Sequence, residues 1–289
     1  SFIFPATIIT GLLAWFYEKY STLPEISPFI EGIKPAVIAI IIMAGYKLGK
    51  KALKSVELGI IGGITLITCL LGVNEIIALF SAGILGIIIS LFKKNRSLNT
   101  LVLPMSFLLT QTFKLNENHL KIFLTFLKVG AILYGSGYVL FAFLETELVQ
   151  TGWLTKQQLL DAVAMGQFTP GPVLSTSTFI GWQLGGFWGA ILATIGMFLP
   201  SFFFVLVLNK LIPKMKKSKI LNAFLQSVNV AAVALIFAVC YEMTKSSIQD
   251  WRSITAMVIS LVIVFLFKKL NSAYVVLGGA LLGYLLHFI

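Results

Sequence analysis

Residues 166–186 read GQFTPGPVLSTSTFIGWQLGG, and the fold turns on how this stretch is interpreted. It is rich in Gly, Ser and Thr and sets Pro170 and Pro172 on either side of Gly171, between long apolar runs. Neither proline has an N–H, and Pro172 also restrains the backbone of Gly171. In hydrocarbon every backbone polar group needs a partner, so irregular backbone survives only where protein packs around it or where it lines a cavity. Upstream, TKQQLLDAVAMGQF is helix-like, with Thr155 placed as an N-cap. Downstream, LSTSTFIGWQL can open a new helix with Pro172 in its first turn. The segment therefore reads as two half-helices meeting at Pro-Gly-Pro. The second starts at the break, with free N–H groups and the positive end of its dipole, an arrangement that favours an anion. Ser175, Thr176, Ser177 and Thr178 add hydroxyls on one side of the break, Gln167 and Thr169 on the other. The competing reading is a small-residue helix-packing surface with the prolines as a kink.

The rest of the chain fits a membrane setting. It has 289 residues, 58% hydrophobic and 11% charged, with a mean hydropathy of +0.95. A soluble chain carries about 25% charged residues. Apolar runs separated by short charged clusters predict an all-α, polytopic membrane protein. Spans are expected to begin near Phe2, Ile30, Leu58, Ile76, Ile122, Phe187, Leu221, Ile254 and Ala273. The net charge of +11 comes from lysines in the connecting loops. No basic stripe alternates with aromatics, so no nucleic-acid partner is expected. Cys69 and Cys240 lie inside apolar runs, and His119 and His287 stand far apart. No metal or cofactor spacing exists, and an enzyme would lack its catalytic cluster.

The chain also repeats itself. Pro5 of FIFPATIITGLLAW falls on Pro200 of MFLPSFFFVLVLNK, a step of 195 residues. The same step carries Phe29 onto Phe224, Tyr46 onto Tyr241 and Lys50 onto Lys245. After a two-residue insertion, Asn74 meets Asn271 and Gly86 meets Gly283. This ungapped register argues for duplication. Basic loops alternate in opposite phase in the two copies: Lys47, Lys50, Lys51 and Lys54 follow the second span of copy one, whereas Lys210, Lys214, Lys216, Lys217 and Lys219 follow the first span of copy two. Because cytoplasmic loops collect Lys and Arg, the copies are expected to face opposite ways, as an inverted-topology tandem repeat with discontinuous or re-entrant helices. The expected layout is 1–92 as the back part of the first repeat, 93–120 as a cytoplasmic linker and 121–289 as the second, inverted repeat. A front part of the first repeat, bearing a sister of GQFTPGPV, is expected before Ser1. The apolar but short stretch 98–113, which contains Pro104, is expected to be interfacial or folded within the linker.

Other segments leave alternatives open. Gly135-Ser136-Gly137 interrupts the run that starts near Ile122, as a second discontinuous helix facing the first or as a groove for a neighbour. Asp161 reads as an interfacial residue on a polar face with Gln157 and Gln158, against the alternative of a proton or cation partner. Lys128 is expected to snorkel. Lys34, and Asn229 at its matched position, could face a polar cavity where the repeats meet.

At this point a family resemblance comes into view. FLKVGAILYGSGYVLFAFLETELV, WLTKQQLLDAVAMGQFTPGPVLSTSTFIGW and FLPSFFFV resemble the C-terminal half of the chromate ion transporter family, and GIKPAVIAIIIMAGYKLGKKALK is similar to the latter part of its N-terminal half. The resemblance implies a multi-pass protein of a bacterial inner membrane that exports chromate, with sulfate as competitor. It also leaves room for a homodimer. It marks Gly135, Ser136, Gly137, Tyr138, Gln167, Thr169, Pro170, Gly171 and Pro172 as substrate-binding, and the hydroxyls of Ser175 and Thr176 join them from the reading of the break. The family's aromatic and Thr-Thr-Ala-Thr after PGPV are replaced here by Leu174 and Ser-Thr-Ser-Thr, and Trp182 stands where Tyr is usual. The expected mechanism is alternating access by a secondary transporter; an anion or small-solute channel on the same frame is the alternative.

Overall fold

The computed structural model describes residues 3–21, 23, 26–92, 117–133, 137–169, 172–248, 250–267 and 270–288, without the side chains of residues 117, 138, 207–217 and 219. The described residues are helical throughout, with no strand among them. The expected interfacial stretch 98–113 lies outside them.

Four helices come first: α1 (Ile3–Tyr20), α2 (Ser27–Ala52), α3 (Val56–Leu70) and α4 (Glu75–Phe92). The last three of the chain are α9 (Lys219–Ser247), α10 (Trp251–Leu266) and α11 (Ser272–His287). The step found in the sequence carries α2 onto α9 and α3 onto α10, and α4 onto α11 after the insertion. Their starts are built alike. Ser55 caps α3 by accepting from the Leu58 amide, and the residue 195 further on, Asp250, caps α10 by accepting from the Ser253 amide.

Packing crosses between the halves. α2 lies against α10 and α11, whereas α9 lies against α3 and α4, and α2 and α9 pack on each other at the centre. A Cβ added to Gly32 of α2 would collide with the backbone of Gly279 and Gly283 of α11. At the matched positions a Cβ on Gly86 of α4 would collide with Ser227 of α9. Such contacts let backbones approach closely, which is how helices associate where lipid supplies no hydrophobic drive. Phe4, Ile60, Ile77, Val262 and Leu281 are left exposed on the outside, as a lipid-facing surface requires.

Helices Ser27–Ala52, Glu75–Phe92 and Ile220–Ser247 are long and apolar enough to cross a membrane, as is the apolar segment Val173–Leu206; α3, α10 and α11 are shorter apolar helices. The segment Val173–Leu206 is not one rod. It belongs to α8 (Thr176–Lys217), whose backbone leaves the helical region at Gly185 and Gly186. A straight helix would separate residues 178 and 194 by about 24 Å, yet their hydroxyl oxygens are 2.7 Å apart. Gly181 and Gly189 face each other so closely that a Cβ on either would strike the other's carbonyl. The first arm of α8 (176–184) therefore folds back on its second arm (187–217). Gly186, at φ +60° and ψ −149°, occupies a region open essentially to glycine alone.

The run from Ile122 starts a helix but not an uninterrupted span. α5 (Glu117–Ile132) does not continue as a span but turns back into α6 (Leu140–Leu144) and a π turn, Glu145–Val149. Lys128 Nζ lies 2.6 Å from Glu147 Oε1, and Lys121 Nζ sits 3.8 Å from the centre of the Trp153 ring. Higher numbers on α5 thus meet lower numbers on the return, which marks an antiparallel hairpin.

Candidate functional site

The second hairpin is made of α7 (Lys156–Gln167) and the first arm of α8. Thr155 starts α7 with a reciprocal cap: its hydroxyl accepts from the Gln158 amide while the Gln158 side chain accepts from the Thr155 amide. α7 stops at Gln167. Pro172 is extended, a short 3₁₀ turn spans Val173–Ser175, and α8 opens at Thr176. A Cβ on Gly166 would run into the Thr176 side chain, so the arms meet at the tip. The open ends of both hairpins lie on one face of the molecule: Gly185 is beside His119 and Ile122, and Trp153, three residues before α7, stacks under Lys121.

The tips meet deep in the protein. A Cβ on Gly137, at the start of a 3₁₀ turn, would sit 3.1 Å from Val173 Cβ. Gly130, Gly137, Pro172 and Met197 share the wall of a cavity of about 260 Å³. Gly130 is eleven residues along α5 from His119, about 16 Å at the helical rise. That is about half of a hydrocarbon core of ~30 Å.

Around the tip polar groups are buried, and they fall into two sets. In the first set each hydroxyl has local work. The Thr169 hydroxyl donates to the Gly166 carbonyl at 2.9 Å, which makes Ser175 the donor in the 3.3 Å contact between them. The Ser177 hydroxyl donates to the Leu174 carbonyl at 2.7 Å, and Thr178 bonds Thr194 across the arms. In the second set donors are spare. Gln167 is 4% exposed and Thr176 fully buried, yet neither Gln167 Nε2 nor Thr176 Oγ1 has a hydrogen-bond partner. An unmade hydrogen bond on a buried group costs about 1–3 kcal/mol, so the native site is expected to fill it. Gly135, Ser136, Pro170 and Gly171 fall outside the described residues, as does the side chain of Tyr138.

A feature missed in the sequence lies alongside α7. Asp161 is not interfacial. It is 4% exposed, with Lys34 of α2 at 6%. Lys34 Nζ lies 2.9 Å from Asp161 Oδ1, an ionic contact without the alignment of a hydrogen bond. The Tyr17 hydroxyl of α1 donates to Asp161 Oδ2 at 2.6 Å. Gln157 and Gln158 are exposed in the first turn of α7, but from Leu159 onward the helix is enclosed, and the partners of Asp161 come from helices far earlier in the chain. Nothing local to Tyr17 signals this role. Lys128 is half-exposed and paired with Glu147, while Lys156 joins Glu145 at 3.1 Å and Glu242 at 2.9 Å.

Two cavities flank this centre. The first, about 340 Å³, is walled by Glu31, Lys34, Ser247, Arg252 and His287 among others. The second, about 370 Å³, is walled by Ser55, Glu57, Gly86, Ser90 and Gln226 among others. They occupy matched positions: steps of 195 or 197 carry Glu31 to Gln226, Glu57 to Arg252 and Ser90 to His287. Asn229, matched to Lys34, lines a separate cavity with Lys51. Among the described residues no group of His, Cys, Asp and Glu could hold a metal ion.

Comparison with known proteins agrees with this architecture. The model of the family described as chromate transporter matches residues 1–87 and 120–284. A probable chromate transport protein of Synechococcus elongatus is 31% identical over 98% of this chain and 75% of its own length. A chromate transport protein of Cupriavidus metallidurans is 29% identical over 98% of this chain and 73% of its own. An uncharacterized transporter of Methanocaldococcus jannaschii is 27% identical over 99% of this chain and 75% of its own. No solved structure matches the chain. With its apolar helices, its enclosed hairpins and a family match over most of its length, this multi-pass membrane protein belongs to the chromate transporter family.

Proposed function

We propose that the protein is a secondary transporter that exports a tetrahedral oxyanion, chromate with sulfate as its competitor, by alternating access between two inverted repeats. The observation that carries this reading is the pair of spare buried donors, Gln167 Nε2 and Thr176 Oγ1, where α7 ends and α8 begins. A dianion stripped of water needs hydrogen bonds to replace hydration, and bonds to a charged group contribute about 1.5–3 kcal/mol each. Donors fixed in a dry site act more strongly than in water. In this reading Gly135, Ser136 and Tyr138 close the site from the opposing tip and Pro170–Pro172 hold the break open.

The inverted arrangement is supported by the helix directions. Lys156 meets Glu242, so the end of α9 lies on the hairpin face. α2 runs antiparallel to α9, with Gly45 beside Ile236 and Gly49 beside Val233. Lys50 and Lys51 therefore lie at the opposite face, where the second arm of α8 also ends with Lys214, Lys216 and Lys217. We assign this basic face to the cytoplasm, which puts Lys121, at the start of the second repeat, on the outer face. The matched cavities open to the two faces and serve as the outer and inner approaches. Cytoplasmic lysines raise the local dianion concentration, so capture should weaken with salt. The test is chromate and sulfate flux in proteoliposomes bearing the full-length protein. Saturable flux with counterflow supports a carrier; unitary currents would instead support a channel, and the absence of either anion's flux would reject the reading.

A further inference from the structure

We infer that the buried Lys34–Asp161–Tyr17 cluster is a proton-binding site that couples anion movement to proton movement, with Asp161 as the group that takes the proton. The inference rests on the carrier reading above but concerns a different set of side chains. An ionised pair inside the membrane is costly to desolvate and is retained only when each charge keeps its partner. Here the partners sit on separate helices. Lys34 belongs to α2 of the first half and Tyr17 to α1, whereas Asp161 belongs to α7, the helix that carries Gln167 at its end. Any displacement of the α7 hairpin relative to α2 pulls carboxylate from ammonium. A lone carboxylate in that setting is strongly disfavoured, so separation is tied to uptake of a proton by Asp161, and re-pairing to its release.

The structure also supplies a path. Lys34 forms part of the wall of the 340 Å³ cavity on the hairpin face. That cavity is lined by Glu31, Gln157, Asp250, Arg252 and His287 as well. Ser247 Oγ, on a residue of the same wall, is buried without a protein partner, as suits a water-holding space. Pro35, next to Lys34 inside α2, has no N–H to donate to the Glu31 carbonyl one turn back. Two further charges near α7 have their own partners: Lys156 at its start is paired with Glu145 and Glu242, and Glu18 of α1 accepts from the Trp182 indole. At the position matched to Lys34 stands Asn229, so the lysine is not repeated in the second half.

The experiment uses the full-length protein in proteoliposomes containing a pH-reporting dye. Wild type should accumulate chromate when a pH gradient is imposed, and should move protons when a chromate gradient is imposed. The charge-neutral double variant Lys34→Gln with Asp161→Asn should keep chromate counterflow at equal pH and lose both pH-driven accumulation and proton movement. Tyr17→Phe removes one hydrogen bond to the carboxylate, so the pH profile of transport should move. Retention of pH-driven accumulation by the double variant would overturn the inference, as would loss of counterflow in it, which would put the pair in the anion site. An unmoved profile for Tyr17→Phe would also count against it. Counterflow without proton movement in wild type sinks the coupling alone, whereas no counterflow in wild type sinks the anion reading beneath it.

Discussion

The cavity between α2, α10 and α11 and the cavity between α9, α3 and α4 are built from the same positions of the two halves, yet their chemistry differs. The first holds Glu31, Lys34, Asp250, Arg252 and His287; the second has Gln226, Ser55, Glu57 and Ser90 on its walls, and its counterpart of Lys34, Asn229, lies elsewhere. The matched positions share a close-packed frame, because close helix approach depends on small residues such as Gly32, Gly86, Gly279 and Gly283. Charge is under no such geometric demand. Where it appears in one cavity and not in its counterpart, packing does not explain it, and the charged cavity also has an ionised pair, Lys34–Asp161, beside it.

Changes at the charged side should have the largest effect. Lys34→Met leaves a buried carboxylate without its cation and should cost about 3–5 kcal/mol. Asn229→Met, at the matched position, should cost far less. Thermal unfolding in detergent reads both, and adding Asp161→Leu to Lys34→Met should restore most of the loss. Equal sensitivity at the two positions would dissolve the contrast.

The frame itself should break alike in both halves. Gly32→Leu drives a side chain into the α11 backbone, and Gly86→Leu drives one into Ser227. Each should lose at least about 1–3 kcal/mol, the usual cost of overpacking. A tolerated change at one and not the other would show that the halves are not held equivalently. Gly186→Ala tests the fold-back of α8 separately. Its φ of +60° and ψ of −149° should cost an alanine about 1–3 kcal/mol, read as lowered unfolding temperature.

The smallest difference lies in the caps. Ser55→Ala and Asp250→Ala should each cost about 1 kcal/mol, but only one with a pH dependence. The Ser253 hydroxyl and amide hold the exposed Asp250 carboxyl below its ordinary pKa. A depressed folded-state pKa adds stability above the unfolded value of about 3.9, and that stability fades as pH falls through the folded value. The deficit of Asp250→Ala should therefore shrink in acid, whereas that of Ser55→Ala should stay constant.

What the sequence discloses follows from the range of the forces involved. Apolar runs and the step of 195 are local or periodic signals, and they place eight of the helices. The break at Pro170–Pro172 is equally legible, since missing N–H groups and restricted backbone are properties of the residues themselves. The run from Ile122 left two readings open, because an apolar stretch of that length looks the same whether it crosses or turns back; the turn depends on Lys128 meeting Glu147 and on the tips touching. Asp161 was misread for a similar reason. Its neighbours Gln157 and Gln158 suggest an outer face, and its real partners, Tyr17 and Lys34, are brought to it only by the packing of α1 and α2 on α7.

The central claim is that spare donors at the α7–α8 tip hold the anion. Its most direct test is the half-saturation concentration for chromate counterflow in proteoliposomes of wild type, Gln167→Leu and Thr176→Val. Loss of one hydrogen bond to a charged ligand should raise that value about tenfold or more for each variant, with the Ser177→Ala control unchanged. Wild-type half-saturation in both tip variants would contradict the account.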